Sequence, residues 1–226
     1  MNKTKIQNIL DLKSRGIVYA FLILWVAFFV CNITGLTSFN MGNINSILKE
    51  GSLVAIAGIG MTFPIITGRF DLSVASMIAF QGCFLMEMVR NGGLPEILGI
   101  ILTIILGAAC GLFNGLLIAK VKIPAFIATL GMQYTYRALA YIISAAPIGL
   151  GSGKEEPIIF TLANKDFLGL PIPFWIMLVC LIVATFILRK TRLGRYTLAI
   201  GNSEGASEIS GINIDKVILM VYFCCF

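Results

Sequence analysis

The segment "IITGRFDLSVASM", residues Ile65–Met77, lies between two apolar runs and interrupts them with an arginine and an aspartate. Each charge costs roughly 3 kcal/mol or more at the centre of a bilayer, so its presence needs a physical reason. Thr67 and Gly68 end the first run, and Asp71 or Ser73 is a suitable N-cap for a helix that begins the second. A backbone break at membrane depth must be covered by protein or line a water-filled cavity. The segment is therefore either a tight turn at the cytoplasmic face or a helix break beside a conduit.

The composition places the chain in a membrane. It has 226 residues, of which 58% are hydrophobic and 12% are charged, and its mean hydropathy is +0.94. A soluble domain is about half apolar and a quarter charged, and its water-facing surface depends on that charge. The net charge of +6 does not indicate a nucleic-acid partner, because the basic residues flank apolar runs rather than forming a stripe with aromatic residues.

The apolar runs predict an all-α polytopic membrane protein. A spanning helix needs about 20 mostly apolar residues. We expect about six spans and a truncated seventh that begins near residue 217, together forming one transmembrane domain over residues 1–226. The predicted spans cover residues 16–36, 52–67, 74–89, 94–119, 125–146 and 171–188. Residues 40–50 are too polar to span, and we expect them to lie at an interface.

The distribution of basic residues predicts the orientation. With the N-terminus in the cytoplasm, residues 1–15, 68–73, 120–124 and 189–216 lie on the cytoplasmic side and contain 12 of the 17 lysines and arginines. This bias agrees with the rule that loops rich in Lys and Arg stay inside.

No set of residues supports catalysis, and no cofactor or metal is expected. The chain has no histidine, and its six cysteines lie in apolar runs without metal-ligand spacing. The outer loop, residues 147–170, contains "GLGSGK", which is not a phosphate loop. Ile148 stands where that motif needs its first glycine, and Glu155 stands where it needs Ser or Thr.

Polar and small residues within the spans predict helix contacts or a pathway. Glycines at 107, 111 and 115 lie one turn apart and allow a neighbouring helix to approach closely. Intramembrane polar side chains face another helix or a cavity rather than lipid. The candidates for lining a pathway are Gln81, Asn114, Thr129 and Gln133.

The cytoplasmic loop of residues 189–216 is the most polar part of the chain. Its middle, Glu204–Ile209, is bracketed by glycines and Asn202 and predicts a short surface helix. A simple connector would need only a few residues. The loop is therefore either a solvated connection or a docking helix for a cytoplasmic partner.

At three places the chain resembles a known family. Ile65–Met77 resembles the "ITGGIDLSVGS" signature of the ribose-type sugar ABC transporter permeases, and the resemblance continues over Asn114–Ile142 and Gly194–Tyr222. It extends over about residues 40–222. The resemblance implies an ABC importer permease in the bacterial cytoplasmic membrane, which is not itself an enzyme. The partners it implies are a second permease copy or paralogue, a separate ATP-binding subunit and an extracytoplasmic sugar-binding protein, within membrane lipid.

The resemblance also implies roles for individual residues. The helix break of the signature would consist of Gly68, Arg69, Asp71, Leu72 and Ser73. The loop of residues 189–216 would be the coupling loop that contacts the ATPase, through Gly201, Asn202, Glu204, Ala206, Ser207 and Gly211.

The chain departs from the family pattern in two respects. Arg69 and Phe70 replace the usual Gly and Ile of the signature, and Ala75 replaces a Gly. The chain also stops inside the seventh span, so we expect that about the last third of a family member is absent. Two other hypotheses remain: a secondary transporter or channel that works alone through Asp71 or Glu87, and a truncated permease that inserts but does not transport. The sequence identifies neither the sugar nor whether the permease dimer is homomeric.

Overall fold

The computed structural model describes residues 12–34, 41–144 and 158–225, and this part of the chain is mainly helical. It divides after Ile47 into two compact units, which are described separately. In chain order the elements are α1 (Leu12–Ile33), α2 (Met41–Ile66), α3 (Val74–Met86) with a π-helical turn (Glu87–Asn91), α4 (Glu96–Ala119), α5 (Ala125–Ile143), α6 (Ile158–Asn164), β1 (Asp166–Phe167), β2 (Leu170–Pro171), α7 (Ile172–Lys190), α8 (Arg192–Asn202), α9 (Glu204–Ile209) and α10 (Ile214–Cys225).

The first unit is formed by α1 and the start of α2. Large apolar side chains are exposed on every side of α1, including Leu24, Trp25 and Phe29. A helix that is apolar all round suits a lipid environment rather than water. Its observed bounds, Leu12–Ile33, overlap the predicted first span.

Residues 41–50, expected to lie at an interface, are not a separate element: with the predicted second span as far as Ile66 they form one continuous helix of 26 residues, α2. Their interfacial position stays a prediction. The polar side chains do not interrupt α2, because their hydroxyls donate to carbonyls one turn back within the same helix. Ser46 donates to Gly42 at 3.0 Å, and Thr62 donates to Gly58 at 2.9 Å.

Three helices of the described residues are long and apolar enough to cross a membrane, namely Gly42–Ile66, Glu96–Ala119 and Ile172–Lys190. Shorter apolar helices occupy Val18–Ile33 and Val74–Val89. The helices α5 and α10 lie where the fifth span and the truncated seventh are predicted. A polytopic helical protein agrees with these findings, whereas the number of six spans stays a prediction.

In the second unit, α10 packs against α4 in the main apolar core. Buried residues of this core include Ile118, Val217, Ile218 and Val221. The approach is close because Gly115 has no side chain: a Cβ there would lie 3.2 Å from Cα of Leu219 and 3.3 Å from Cβ of Tyr222. The predicted glycine face of the fourth span therefore serves packing within the chain.

A second, smaller core joins α3 to α5. Met77 and Phe80 of α3 are buried against Tyr136 and Ala140 of α5. The rings of Phe80 and Tyr136 are stacked, with centroids 6.1 Å apart and an interplanar angle of 10°. This contact fixes the orientation of Tyr136, which the candidate site uses.

The predicted outer loop is only partly described, since "GLGSGK" and the rest of residues 145–157 lie outside the described residues. From Ile158 the chain forms α6 and a small antiparallel hairpin of β1 and β2. The two residues of the hairpin turn, Leu168 and Gly169, have φ of 54° and 78°. Positive φ at both positions is typical of a type I′ turn.

The loop of residues 189–216, called the cytoplasmic loop after its predicted side of the membrane, is more ordered than a solvated connector. It contains the end of α7, the eleven-residue helix α8 and the short helix α9. The prediction of a helix at Glu204–Ile209 is confirmed. The hydroxyl of Ser203 caps it by accepting from the amide of Ala206 at 3.3 Å, and Gly211 ends the segment with φ of 82°. Gly201 and Asn202, expected to precede the surface helix as a bracket, instead end α8.

The contact at Gly115 gives a stability prediction. We expect Gly115→Leu to lower the apparent unfolding temperature in detergent, because overpacking of a close helix contact costs roughly 1–3 kcal/mol. The matched control is Gly131→Leu on α5, where a Cβ would meet no atom within 4 Å. That change should be neutral or stabilising, since leucine favours a helix more than glycine does. Equal effects of the two substitutions would contradict the packing described for α4 and α10.

Candidate functional site

The candidate site is the α2–α3 turn, residues 67–73, together with the side chains that surround it. Helix α2 ends in a Schellman arrangement: the amide of Gly68 donates to the carbonyl of Ile65 at 2.9 Å, and the amide of Arg69 donates to that of Pro64 at 3.0 Å. Gly68 has φ of 74°, which glycine adopts without a steric penalty. The turn therefore follows from the common way in which α-helices end at a glycine.

Asp71 organises the second half of the turn. Its side chain is 2% exposed, and Oδ1 accepts from the amide of Ser73 at 2.8 Å and from the hydroxyl of Ser73 at 2.6 Å. The expectation that Asp71 or Ser73 caps α3 through its side chain is not met in the usual form. Ser73 occupies the N-cap position without a side-chain capping bond, and Asp71 binds Ser73 itself instead of the first turn of α3.

Two neighbouring helices complete a buried polar network, defined here as Asp71, Ser73, Asn114 and Tyr136. Nδ2 of Asn114 on α4 donates to Oγ of Ser73 at 2.9 Å and to Oδ2 of Asp71 at 3.4 Å. The hydroxyl of Tyr136 on α5 contacts Oδ1 of Asn114 at 3.0 Å and the carbonyl of Cys110 at 3.2 Å, where it can donate. All four network side chains are buried. The network therefore connects the α2–α3 turn, α4 and α5.

The backbone of the turn is packed in the same way. Thr129 of α5 is fully buried, and its Oγ1 lies 3.4 Å from the carbonyl of Phe70 and 2.8 Å from that of Ala125. The side chains of Phe70 and Leu72 point away from this core and are exposed. Because the polar groups of the turn bind protein, the geometry favours a tight turn over a break beside an open conduit.

Arg69, for which the sequence offers no explanation, joins the turn to the cytoplasmic loop. Its Nη1 donates to the carbonyl of Thr67 at 2.9 Å, and its Nη2 pairs with Oε1 of Glu204 at 2.9 Å. Gly201 lies against the same region, since a Cβ there would clash with the carbonyl oxygen of Ile66 at the end of α2. Of the residues proposed for the coupling loop, Glu204 thus contacts the break of the signature directly, and Gly201 contacts the end of α2 just before it.

A further ionic cluster lies beside this contact. Asp215, at the start of α10, pairs with Lys122 at 2.5 Å and with Lys120 at 3.8 Å. The hydrogen bond from Lys122 lowers the pKa of the Asp215 carboxyl below its usual range, and the charges of Lys120 and Arg69 act in the same direction. Lys122 adopts φ of 63°, an unusual conformation for a residue with a side chain.

The structure brings together only part of the residues singled out from the sequence. Asn114 and Thr129 meet the turn, whereas Gln81 and Gln133 are half-buried on α3 and α5. A pathway role for these four stays a prediction. In the cytoplasmic loop, Ser207 is buried and its hydroxyl donates to the carbonyl of Ser203, so it is not part of the exposed surface. The exposed members of the proposed coupling set are Gly201, Asn202, Glu204, Ala206 and Gly211.

Sequence reasoning missed three residues of this region. Tyr136 was part of the resemblance but carried no sign of its contact with Asn114. Tyr222 is fully buried in α10, and its hydroxyl is the buried side-chain polar atom without a hydrogen-bond partner among the described residues. Ile209, at the end of α9, is 91% exposed. The sequence carries no signal that singles out this position, since the same loop also contains Leu198, Ile200 and Ile212.

The site holds no arrangement suited to a metal in the described part of the chain, where no three His, Cys, Asp or Glu side chains come together. The described cysteines are all free thiols. The chemistry available at the site is hydrogen bonding and ion pairing between helices.

The comparisons with known proteins identify the class of protein. Residues 43–225 match the family model described as "Branched-chain amino acid transport system / permease component". The chain is 36% identical over 185 residues to the ribose import permease protein RbsC of Haemophilus influenzae, covering 81% of this chain and 57% of that protein. It is 38% identical over 214 residues to the L-arabinose transport system permease protein AraH of Escherichia coli, covering 91% of this chain and 60% of that protein. No solved structure matches.

These matches also show how much of each relative the chain covers. The chain spans less than two thirds of the length of the curated relatives that it matches. The matched region, residues 43–225, contains the α2–α3 turn, the polar network and the cytoplasmic loop.

The polar network predicts that two destabilising substitutions should compensate each other when they are combined. We expect Asp71→Asn to lower the apparent unfolding temperature, because it directs an amide N–H at a donor of Asn114 and leaves buried groups unsatisfied at a cost of roughly 1–3 kcal/mol. Asn114→Asp places a second carboxylate beside Asp71 and should also destabilise. The double variant D71N/N114D restores one carboxylate opposite one amide, so its loss should be smaller than the sum of the two. Additive losses would contradict a direct contact between these side chains.

Proposed function

The chain belongs to the branched-chain amino acid transport system / permease component family, and on this basis we propose that it is the membrane-spanning permease subunit of an ATP-binding-cassette importer for a monosaccharide. The observation that carries the proposal is the 35–38% identity to ribose and arabinose permeases over at least four fifths of the chain. A sugar is preferred to an amino acid because these relatives are named for sugars.

The exposed face of α9 supports a partner at the cytoplasmic loop. Ile209 is almost fully exposed, and Glu204, Gly205 and Ala206 are exposed on the same short helix. Burial of the Ile209 side chain by a partner would remove apolar surface from water and so favour association. In the proposed importer this helix docks on the ATP-binding subunit, which carries out ATP hydrolysis.

The proposed mechanism depends on a difference between two states of the partner. ATP binding and hydrolysis move the docked helix α9, and the permease responds only as far as its two conformations differ in their contacts with the partner. The substrate binds weakly in the pathway, while an extracytoplasmic binding protein provides affinity. A second permease copy or a paralogue completes the pathway in the cytoplasmic membrane, and the N-terminus lies inside, with six spans and a seventh in this chain.

The test is reconstitution of the chain in proteoliposomes with its ATP-binding subunit and sugar-binding protein. We expect uptake of labelled ribose or arabinose that requires ATP hydrolysis. Ile209→Asp should abolish both co-purification of the ATP-binding subunit and uptake, because it buries a charge at the docking surface. The control is Leu168→Asp in the hairpin turn, where the leucine is 77% exposed and lies outside the proposed interface.

Three results would contradict the proposal in different ways. Uptake without ATP hydrolysis would indicate a transporter that works alone. Co-purification of the ATP-binding subunit without uptake would indicate a chain that assembles but does not transport. Normal co-purification of the Ile209→Asp variant would remove α9 as the docking element.

A further inference from the structure

Arg69 makes two contacts that no other residue of the α2–α3 turn could make together. One guanidinium nitrogen binds the carbonyl of Thr67 in the turn, and the other binds the carboxylate of Glu204 on α9. The planar fork of arginine presents several donors in fixed directions, which lets one side chain join two elements. Arg69 and Glu204 are 135 residues apart in sequence, so the pair is a tertiary link.

The environment favours Glu204 over Asp215 as the partner of Arg69. The Arg69 side chain is 17% exposed and that of Glu204 is 52% exposed. Asp215 lies close enough for Arg69 to help lower its pKa, yet it already pairs with Lys120 and Lys122. Glu204 is therefore the carboxylate left for Arg69.

The turn that Arg69 holds is also the turn that carries the buried network. Arg69 and Asp71 are separated by one residue, and Asp71 binds Ser73 and Asn114. Next to the ion pair, Gly201 rests against the carbonyl end of α2. A joint shift of α8 and α9 relative to α2 would act on Arg69 and on this packing contact together.

We propose that Arg69 is a positioning residue that ties α9 to the α2–α3 turn and transmits a displacement of α9 to the network at Asp71. That the displacement originates in an ATP-binding subunit rests on the proposed function; the link itself does not. Arg69 stands where the resembled signature "ITGGIDLSVGS" has glycine.

The first test measures hydrogen exchange of the purified chain in detergent or lipid discs, followed at the peptides that cover residues 67–77. Arg69→Gln and Glu204→Gln should each raise exchange at the amides of the turn by about twofold to fivefold, the range for loss of a partly exposed ion pair. The double glutamine variant should show no further increase. The charge swap R69E/E204R should restore slow exchange in part, because it re-forms the ion pair but leaves the carbonyl of Thr67 without its guanidinium donor. A general loss of packing would allow no recovery.

Matched controls separate the link from the effect of charge alone. Glu208→Gln removes an exposed carboxylate from the same helix α9, and Arg195→Gln removes an exposed guanidinium from α8. Neither should change exchange at residues 67–77. If Glu204→Gln behaves like Glu208→Gln, or if the swap variant exchanges as fast as the single variants, the link is overturned.

The second test measures the number of ATP molecules hydrolysed per sugar transported in the reconstituted importer. We expect Arg69→Gln to raise this ratio at least twofold while ATP hydrolysis continues, and the charge swap to lower it again. An unchanged ratio overturns the transmitting role. If the wild-type chain does not transport, the proposed function fails, and the link is still decided by the exchange experiment.

Discussion

A carboxylate buried among apolar helices must be given hydrogen-bond donors, and the arrangement of the second unit follows from how Asp71 obtains them. Removing a charge from water without partners costs far more than one protein contact returns. Asp71 takes two donors from Ser73 within its own turn and one from Asn114 on α4. Asn114 in turn contacts the hydroxyl of Tyr136 on α5. One buried charge thus fixes the relative positions of three parts of the chain.

The α2–α3 turn carries a second charged residue, Arg69, whose side chain is directed away from the buried network. Arg69 reaches Glu204 on α9, so the segment that stabilises the interior also contacts the cytoplasmic loop. Glycines allow this closeness at two points: Gly68 provides the left-handed turn residue, and Gly201 lets α8 rest on the end of α2. The proposed permease therefore has a surface helix, a turn and a buried network in direct succession, without an intervening flexible segment.

The sequence predicted those features that depend on local pattern. Apolar runs located α4 and α7 closely, and the bracketing Gly201, Asn202 and Gly211 located α9. The continuity of α2 was missed because Asn and Ser lower its hydropathy, whereas the hydrogen bonds of Ser46 and Ser52 within the helix are invisible in a hydropathy window. The partner of Arg69 was also unpredictable, since the pairing depends on how α9 packs against α2. Local sequence patterns therefore predict where the helices lie, whereas the contacts between helices depend on the tertiary structure.

The central claim is that the α2–α3 turn is a packed junction and not the wall of a water-filled conduit. It is tested most directly by reaction of Ser73→Cys with a charged, water-soluble thiol reagent, read at the peptide level by mass spectrometry. We expect no modification in the folded chain, full modification after unfolding, and rapid modification of Glu208→Cys on exposed α9 in the folded chain. Modification of Ser73→Cys in the folded chain as fast as that of Glu208→Cys would contradict the account.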